Sequence, residues 1–184
     1  LALKNATRGR AYILFVVHAV LTYSVSFIIY KIGFGYDPFV HEATMRYIAE
    51  HGVIFPKQPF YIGQYVSLVA IHQFTGLSLS FLQAAAVPFL SAVIFPWFLL
   101  LGYDQVKSTS NSYLPLGVLF LFFGVYLAFT VPYNLTLFFL LILIVLLPFE
   151  NRWATYARFG FACAALLTHP LLGIPAFALV CGRA

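Results

Sequence analysis

The sequence predicts an all-α fold, a polytopic transmembrane helical bundle of about five to six spans with a large first loop on the outer side. Three observations carry that expectation. Charged residues make up only 8% of the 184 and hydrophobic residues 62%, against about 25% charged in a soluble domain, and the mean hydropathy is +0.94. Four stretches contain no Asp, Glu, Lys or Arg, namely residues 11–30, 58–103, 108–149 and 159–182. Each reaches or exceeds the roughly 20 residues that cross a bilayer as a helix. Alternating segments of about ten residues, the mark of a membrane β-barrel, are missing from the sequence.

The formal net charge of +5 comes from basic residues scattered at the ends of apolar runs. Such scatter orients a chain in a membrane and does not make a nucleic-acid patch. Cys163 and Cys181 lie in apolar sequence without metal-ligand spacing, so buried free thiols are expected. The chain begins at Leu1 and stops at Ala184 just after an apolar run. It reads as a single transmembrane domain, residues 1–184, at the amino-terminal part of a longer protein.

Lys4, Arg8 and Arg10 precede the first apolar run, residues 11–30. At twenty residues the run is longer than a signal-peptide core and does not end in small residues, so it is expected to remain as an anchor. The positive-inside rule places its start in the cytoplasm, as in an inner or plasma membrane, and the following loop, residues 31–79, outside. Within that loop Gly33 and Gly35 break the span. Asp37-Pro38 reads as an N-cap followed by proline at the first helical position. A surface helix is expected over about residues 38–50, stopped by Gly52, with Glu42, Arg46 and Glu50 as a polar stripe and Val40, Ala43 and Tyr47 as an apolar one. Pro56 and Pro59 keep the next stretch extended.

Residues 61–76 decide the topology. They are apolar but only sixteen long and contain Gln64, His72 and Gln73. If they crossed, Lys107, Arg152 and Arg158 would all face outside; if they stay at the surface, all three face inside. The second arrangement obeys the positive-inside rule at every later loop and is the one expected. The second span then covers residues 81–101 and the third 113–131, arriving outside at Val131-Pro132-Tyr133-Asn134. A short fourth span, 135–149, returns to the turn Glu150-Asn151-Arg152-Trp153. A fifth climbs from about Ala154 to Thr168-His169-Pro170, and residues 171–180 either continue it past a kink or begin the return.

The chemistry concentrates in the first loop. Asp37, Glu42, Arg46, Glu50 and Lys57 fall there, with His41 and His51, out of ten Lys and Arg and five Asp and Glu in the whole chain. Ionisable groups beside membrane spans are costly and point to function. A carboxylate just outside a span can act as a general base or hold a divalent cation, which makes Asp37 the first catalytic candidate; a bare helix cap is its plain alternative. His41, four residues on, shares the helix start and is the second. The pair His41-Glu42 is not a zinc motif, because position 45 is Met45 where HExxH needs a histidine. Glu42, Lys57, Tyr61, Gln64 and Tyr65 are expected to contact substrate. A lysine among phenols suits a phosphate at headgroup depth beside a sugar ring, although an ordinary aromatic belt would also contain tyrosines. His169 joins this set, since Pro170 frees a backbone carbonyl near it.

These residues support a resemblance. The basic start, the single span, Asp37 shortly after it, the loop helix, the segment Pro59-Phe60-Tyr61-x-x-Gln64 and the Pro88- and Pro96-bearing span resemble the GT-C glycosyltransferases. That superfamily includes oligosaccharyltransferase catalytic subunits, protein O-mannosyltransferases and lipid A aminoarabinose transferases. The resemblance implies a first outer loop with surface helices, an acidic residue there as base or metal ligand, and a polyprenyl-phosphate sugar as donor. Two departures bear on the metal. Residue 39 is Phe39 where the oligosaccharyltransferase pattern has a second acid, and the second outer loop is only Pro132-Tyr133-Asn134. A divalent metal is therefore not supported by the sequence and the cofactor stays open, and Asp37 as base carries over better than Asp37 as ligand.

The expected function is transfer of a sugar from a lipid-linked donor to an acceptor at the outer face, with membrane lipids as surroundings. Asp37 takes the acceptor proton and Lys57 steadies the phosphate leaving group. The rival classes are a transporter or lipid flippase, whose broken helices bind substrate at mid-depth, and a non-catalytic assembly subunit. The gathering of charge in one loop, away from mid-span, favours the transferase.

Overall fold

The computed structural model describes residues 2–29, 37–54, 60–105 and 124–182. All regular structure among them is helical, with seven α-helices and one short 3₁₀ turn. Two helices are long and apolar enough to cross a membrane, Arg8–Ile29 and Leu79–Gln105. They belong to α1 (Ala2–Ile29) and α4 (Leu79–Gln105), which pair antiparallel. At one end of the pair Arg8 meets Asp104 at 3.1 Å, and its guanidinium lies over the Trp97 ring. Further along, the Tyr12 hydroxyl donates to the Val93 carbonyl, and Ala19 and Tyr23 pack in one core with Val87.

Pro88 and Pro96 lie inside α4, where each removes a helical hydrogen bond. The Val87 N–H just before Pro88 donates to Thr130 Oγ1 at 3.0 Å, and the Gln83 amide donates to the Thr130 carbonyl. The start of α4 is thereby tied to the chain entering α5 (Pro132–Leu146), where Val131 is extended and Pro132 takes the first helical position. The expected third span falls mostly outside the described residues. Its described part holds the 3₁₀ turn Val125–Leu127 and then extended Val131 in place of α-helix.

From Pro132 the chain folds as two consecutive hairpins. The carbonyls of Leu147 and Phe149, left over at the end of α5, accept from the Arg158 guanidinium at 3.3 and 3.2 Å. Asn151 caps α6 (Arg152–Thr168) by accepting from the Ala154 N–H at 2.9 Å. Phe139 of α5 meets Phe161 of α6. His169 then ends α6 and starts α7 (Pro170–Cys181). Helix α7 doubles back, so residues 171–180 begin the return: Phe177 meets Phe159, and Ala162, Ala165 and Ala176 are fully buried. A Cβ at Gly173 would fall 2.2 Å from Leu166 Cα, so only glycine permits this approach.

Helices α2 (Asp37–His51) and α3 (Ile62–Thr75) complete the fold. Helix α2 stops at Gly52, with φ of +72°, and α3 at Gly76, with φ of +73° and its N–H on the His72 carbonyl. Both glycines adopt the left-handed conformation that a helix end favours. The buried face of α2 is Thr44, Met45 and Ile48, a correction to the expected Val40–Ala43–Tyr47 stripe. The 44, 45, 48 register lays Met45 and Ile48 against Tyr65, Leu68 and Val69 of α3 and Leu79 and Leu82 of α4. Helix α3 begins against the α6–α7 apex, where a Cβ at Gly63 would fall 2.9 Å from the Leu167 and Thr168 backbone. It ends three residues before α4. Both its ends therefore lie at one end of the bundle, and α3 runs across that end.

A second correction concerns the thiols. Cys163 and Cys181 are exposed on the isolated chain, because Ala162 and Ala165 occupy the inward face of α6 and Ala176 and Val180 that of α7.

Candidate functional site

The bundle has two chemically different ends. Arg8, Asp104, Glu150, Arg152 and Arg158 gather at one, by the antiparallel pairing of α1 with α4 and of α5 with α6. The other is covered by α2 and α3 and carries histidines, tyrosines and amides.

At that second end the structure brings together four of the sequence candidates. His41 Nδ1 and the Tyr65 hydroxyl share a hydrogen bond of 2.8 Å across α2 and α3. The His41 ring stands edge-on to Tyr61, with centroids 5.5 Å apart. Tyr61 in turn stacks on His169 at 5.5 Å with planes 27° apart, and Tyr61 and Tyr65 meet edge to face. Each such ring pair adds about 0.5–1.5 kcal/mol beyond area burial. Tyr133, at the start of α5, closes the row by standing edge-on to His169 at 5.9 Å. Tyr133 was not expected in the site; its place just after Pro132 at a helix start is the sequence feature that points there.

Burial and the neighbouring Tyr61 phenol push the Tyr65 phenol up to about 12, against a lowering by its hydrogen bond with Thr44. Tyr65 is therefore a neutral hydroxyl at any physiological pH. Thr44, missed in the sequence, is buried on the same helix face as His41 and also donates to the Val40 carbonyl.

Gln64 lies beside these rings. Its side chain is fully buried, and neither its amide nitrogen nor its oxygen has a hydrogen-bond partner among the described residues. His169 Nδ1 is likewise buried without a partner. Each unpaired buried polar group costs about 1–3 kcal/mol, so this end of the protein retains polar groups that destabilise it.

The remaining candidates stand apart. Asp37 is the first residue of α2, one turn before His41 and exposed, with no hydrogen bond or ion pair to another described residue. Glu42 is engaged within the protein: its Oε1 accepts from Arg46 at 2.9 and 2.6 Å and from Ser80 at 2.6 Å. That clasp ties α2 to the start of α4. As an exposed ion pair it contributes about 0–1 kcal/mol, so its value is in fixing where α2 sits. Lys57 lies outside the described residues. His51 stacks on Tyr47 and bonds its carbonyl at the far end of α2, away from the ring cluster. Among the described residues no three of His, Cys, Asp and Glu converge to hold a metal ion.

Compared with family models, with curated proteins and with solved structures, the chain finds no match.

Proposed function

We propose that this chain is a membrane-embedded glycosyltransferase unit of the GT-C kind, in which the α2–α3 end faces outward and receives a polyprenyl-phosphate sugar. The observation that carries the reading is the row His41–Tyr65–Tyr61–His169, assembled at the end of the bundle opposite Arg8, Arg152 and Arg158. Aromatic faces suit the C–H face of a sugar, and hydroxyl and imidazole groups suit its oxygens. Asp37, one turn before His41 on α2, takes the proton of the acceptor hydroxyl, and Lys57 meets the phosphate.

The exterior supports a lipid setting. Leu14, Leu21 and Ile28 of α1 are 68, 63 and 69% exposed, and Phe89 of α4 is 64% exposed. These apolar faces gain nothing from water, and hydrocarbon covers them at no cost. In this reading α1, α4, α5 and α6 cross among five to six passes, and α2 and α3 rest at the outer interface. Helices α5 and α6 have 15 and 17 residues, about 22–26 Å at 1.5 Å per residue. They cross only if the bilayer thins around them. The basic end then lies in the cytoplasm.

Titration of a polyprenyl-phosphate sugar into the purified full chain tests the reading. Saturable binding is expected from at least one of the mannose, glucose and arabinose forms. Absence of binding for all three would overturn it.

A further inference from the structure

We infer that Gln64 is the group that reads the sugar itself, its side-chain amide bonding two neighbouring hydroxyls of a ring that packs against Tyr61 and His169. The inference rests on the donor reading above and adds the chemistry of the ring's seat.

The first support is the contrast among buried amides. Gln83 donates to the Thr130 carbonyl, with only its oxygen left unpaired among the described residues, and Asn134 donates to the Phe129 carbonyl at 3.1 Å. The fold thus finds main-chain partners for two of its amides. Gln64 is 0% exposed, and both ends of its amide are unpaired among the described residues. A leucine or methionine would fill the same space without unmet hydrogen bonds. An amide kept there is explained by a ligand that pairs with it.

The second support is placement. Tyr61, Gln64 and Tyr65 fall at i, i+3 and i+4 on one face of α3, which puts the amide on the same helix face as the two phenols. One phenol stacks on His169, whose Nδ1 is also buried and unpaired. His169 therefore brings an aromatic face and a second nitrogen unpaired among the described residues to the place where Gly63, the residue before Gln64, lets α3 approach the apex of α6 and α7.

The third support is the chemistry of the amide. It offers an acceptor oxygen and a donor nitrogen side by side. Adjacent hydroxyls of a pyranose or furanose offer the matching donor and acceptor. A phosphate is not matched, because it supplies only acceptors and seeks a cation. A metal ion would leave the nitrogen unpaired. The neutral Tyr65 hydroxyl and the imidazoles extend the same pattern to further hydroxyls.

The test replaces Gln64 by leucine and compares two titrations on the purified full chain. One uses bare polyprenyl phosphate. The other uses polyprenyl phosphate bearing mannose, glucose or arabinose. The wild type is expected to bind at least one sugar-bearing lipid more tightly than the bare one. Gln64→Leu is expected to lose about 10- to 100-fold of that affinity, because a site built for hydroxyls discriminates through them, and to bind bare lipid unchanged. Should Gln64→Leu fail to fold, Gln64→Met is read the same way. Equal losses for bare and sugar-bearing lipid, or no loss for either, would overturn the inference and leave Gln64 as a residue that holds water at most. A wild type that binds bare lipid as tightly as every sugar-bearing form would overturn it too. If the wild type binds no polyprenyl phosphate at all, the donor reading beneath the inference falls instead.

Discussion

Asp37→Asn is expected to lower sugar transfer by roughly 10²–10⁴-fold, the usual worth of a positioned general base, while the protein stays folded. Asp37 is exposed at the first position of α2 and bonds to no other described residue. Asparagine serves the start of a helix about as well as aspartate, so the stability change should stay within about 0.5 kcal/mol, as at other surface positions. The two roles of Asp37 are thereby separable. A base loses its proton acceptor in the variant, whereas a helix-starting residue loses nothing. Transfer rates and thermal unfolding of the same preparations check this. A normal rate in a normally folded variant would remove Asp37 from the chemistry.

Gly173→Ala is expected to be the most destabilising alanine substitution among the described glycines, at about 3 kcal/mol or more, the upper range for overpacking. The added Cβ would lie 2.2 Å from Leu166 Cα, 2.5 Å from Leu166 N and 2.6 Å from the Ala165 carbonyl oxygen. All three are backbone atoms of α6, so no side chain can rotate away, and the α6–α7 hairpin must open. His169 sits at the apex of that hairpin and holds Tyr61 on one side and Tyr133 on the other. Loss of donor affinity should therefore accompany the lower unfolding temperature. By contrast, a Cβ at Gly160 meets nothing within 4 Å, and Gly160→Ala provides the control. Equal unfolding temperatures for the two variants would contradict the close packing of α6 on α7.

The parts of the fold that the sequence made legible are those set by local rules. The charge-free runs marked α1 and α4, and the Asp37-Pro38 pair with Gly52 bracketed α2 to within one residue at each end. Helix length by itself did not say whether residues 171–180 continue or return. The answer depends on Gly173, whose meaning appears only once Leu166 is placed against it. The buried stripe of α2 differs from the expected one because Val40, Ala43 and Tyr47 are more apolar than Thr44. The hydroxyl of Thr44 goes inward since it bonds to the Val40 carbonyl and to Tyr65. At the site, Tyr61, Gln64 and Tyr65 group together in the sequence because they share one short helix. Their meeting with His169, and the presence of Tyr133, do not show there, since nothing local links residues so far apart in the chain. The pairing of Glu42 with Arg46 one turn on was legible from their spacing, whereas its second partner Ser80 lies on another helix and no local pattern marks it.

Labelling with a membrane-impermeant thiol reagent on intact cells tests most directly the claim that the two ends of this bundle face opposite sides of a membrane. Cys163 and Cys181 are exposed and must first be replaced by serine. Single cysteines are then introduced at Glu50, on α2, and at Glu150, in the turn between α5 and α6; both positions are exposed. The expected result is that Glu50→Cys reacts from outside and Glu150→Cys reacts only after the membrane is permeabilised. Reaction of Glu150→Cys from outside, with or without Glu50→Cys, would contradict a bundle that presents its histidine and tyrosine end to the exterior.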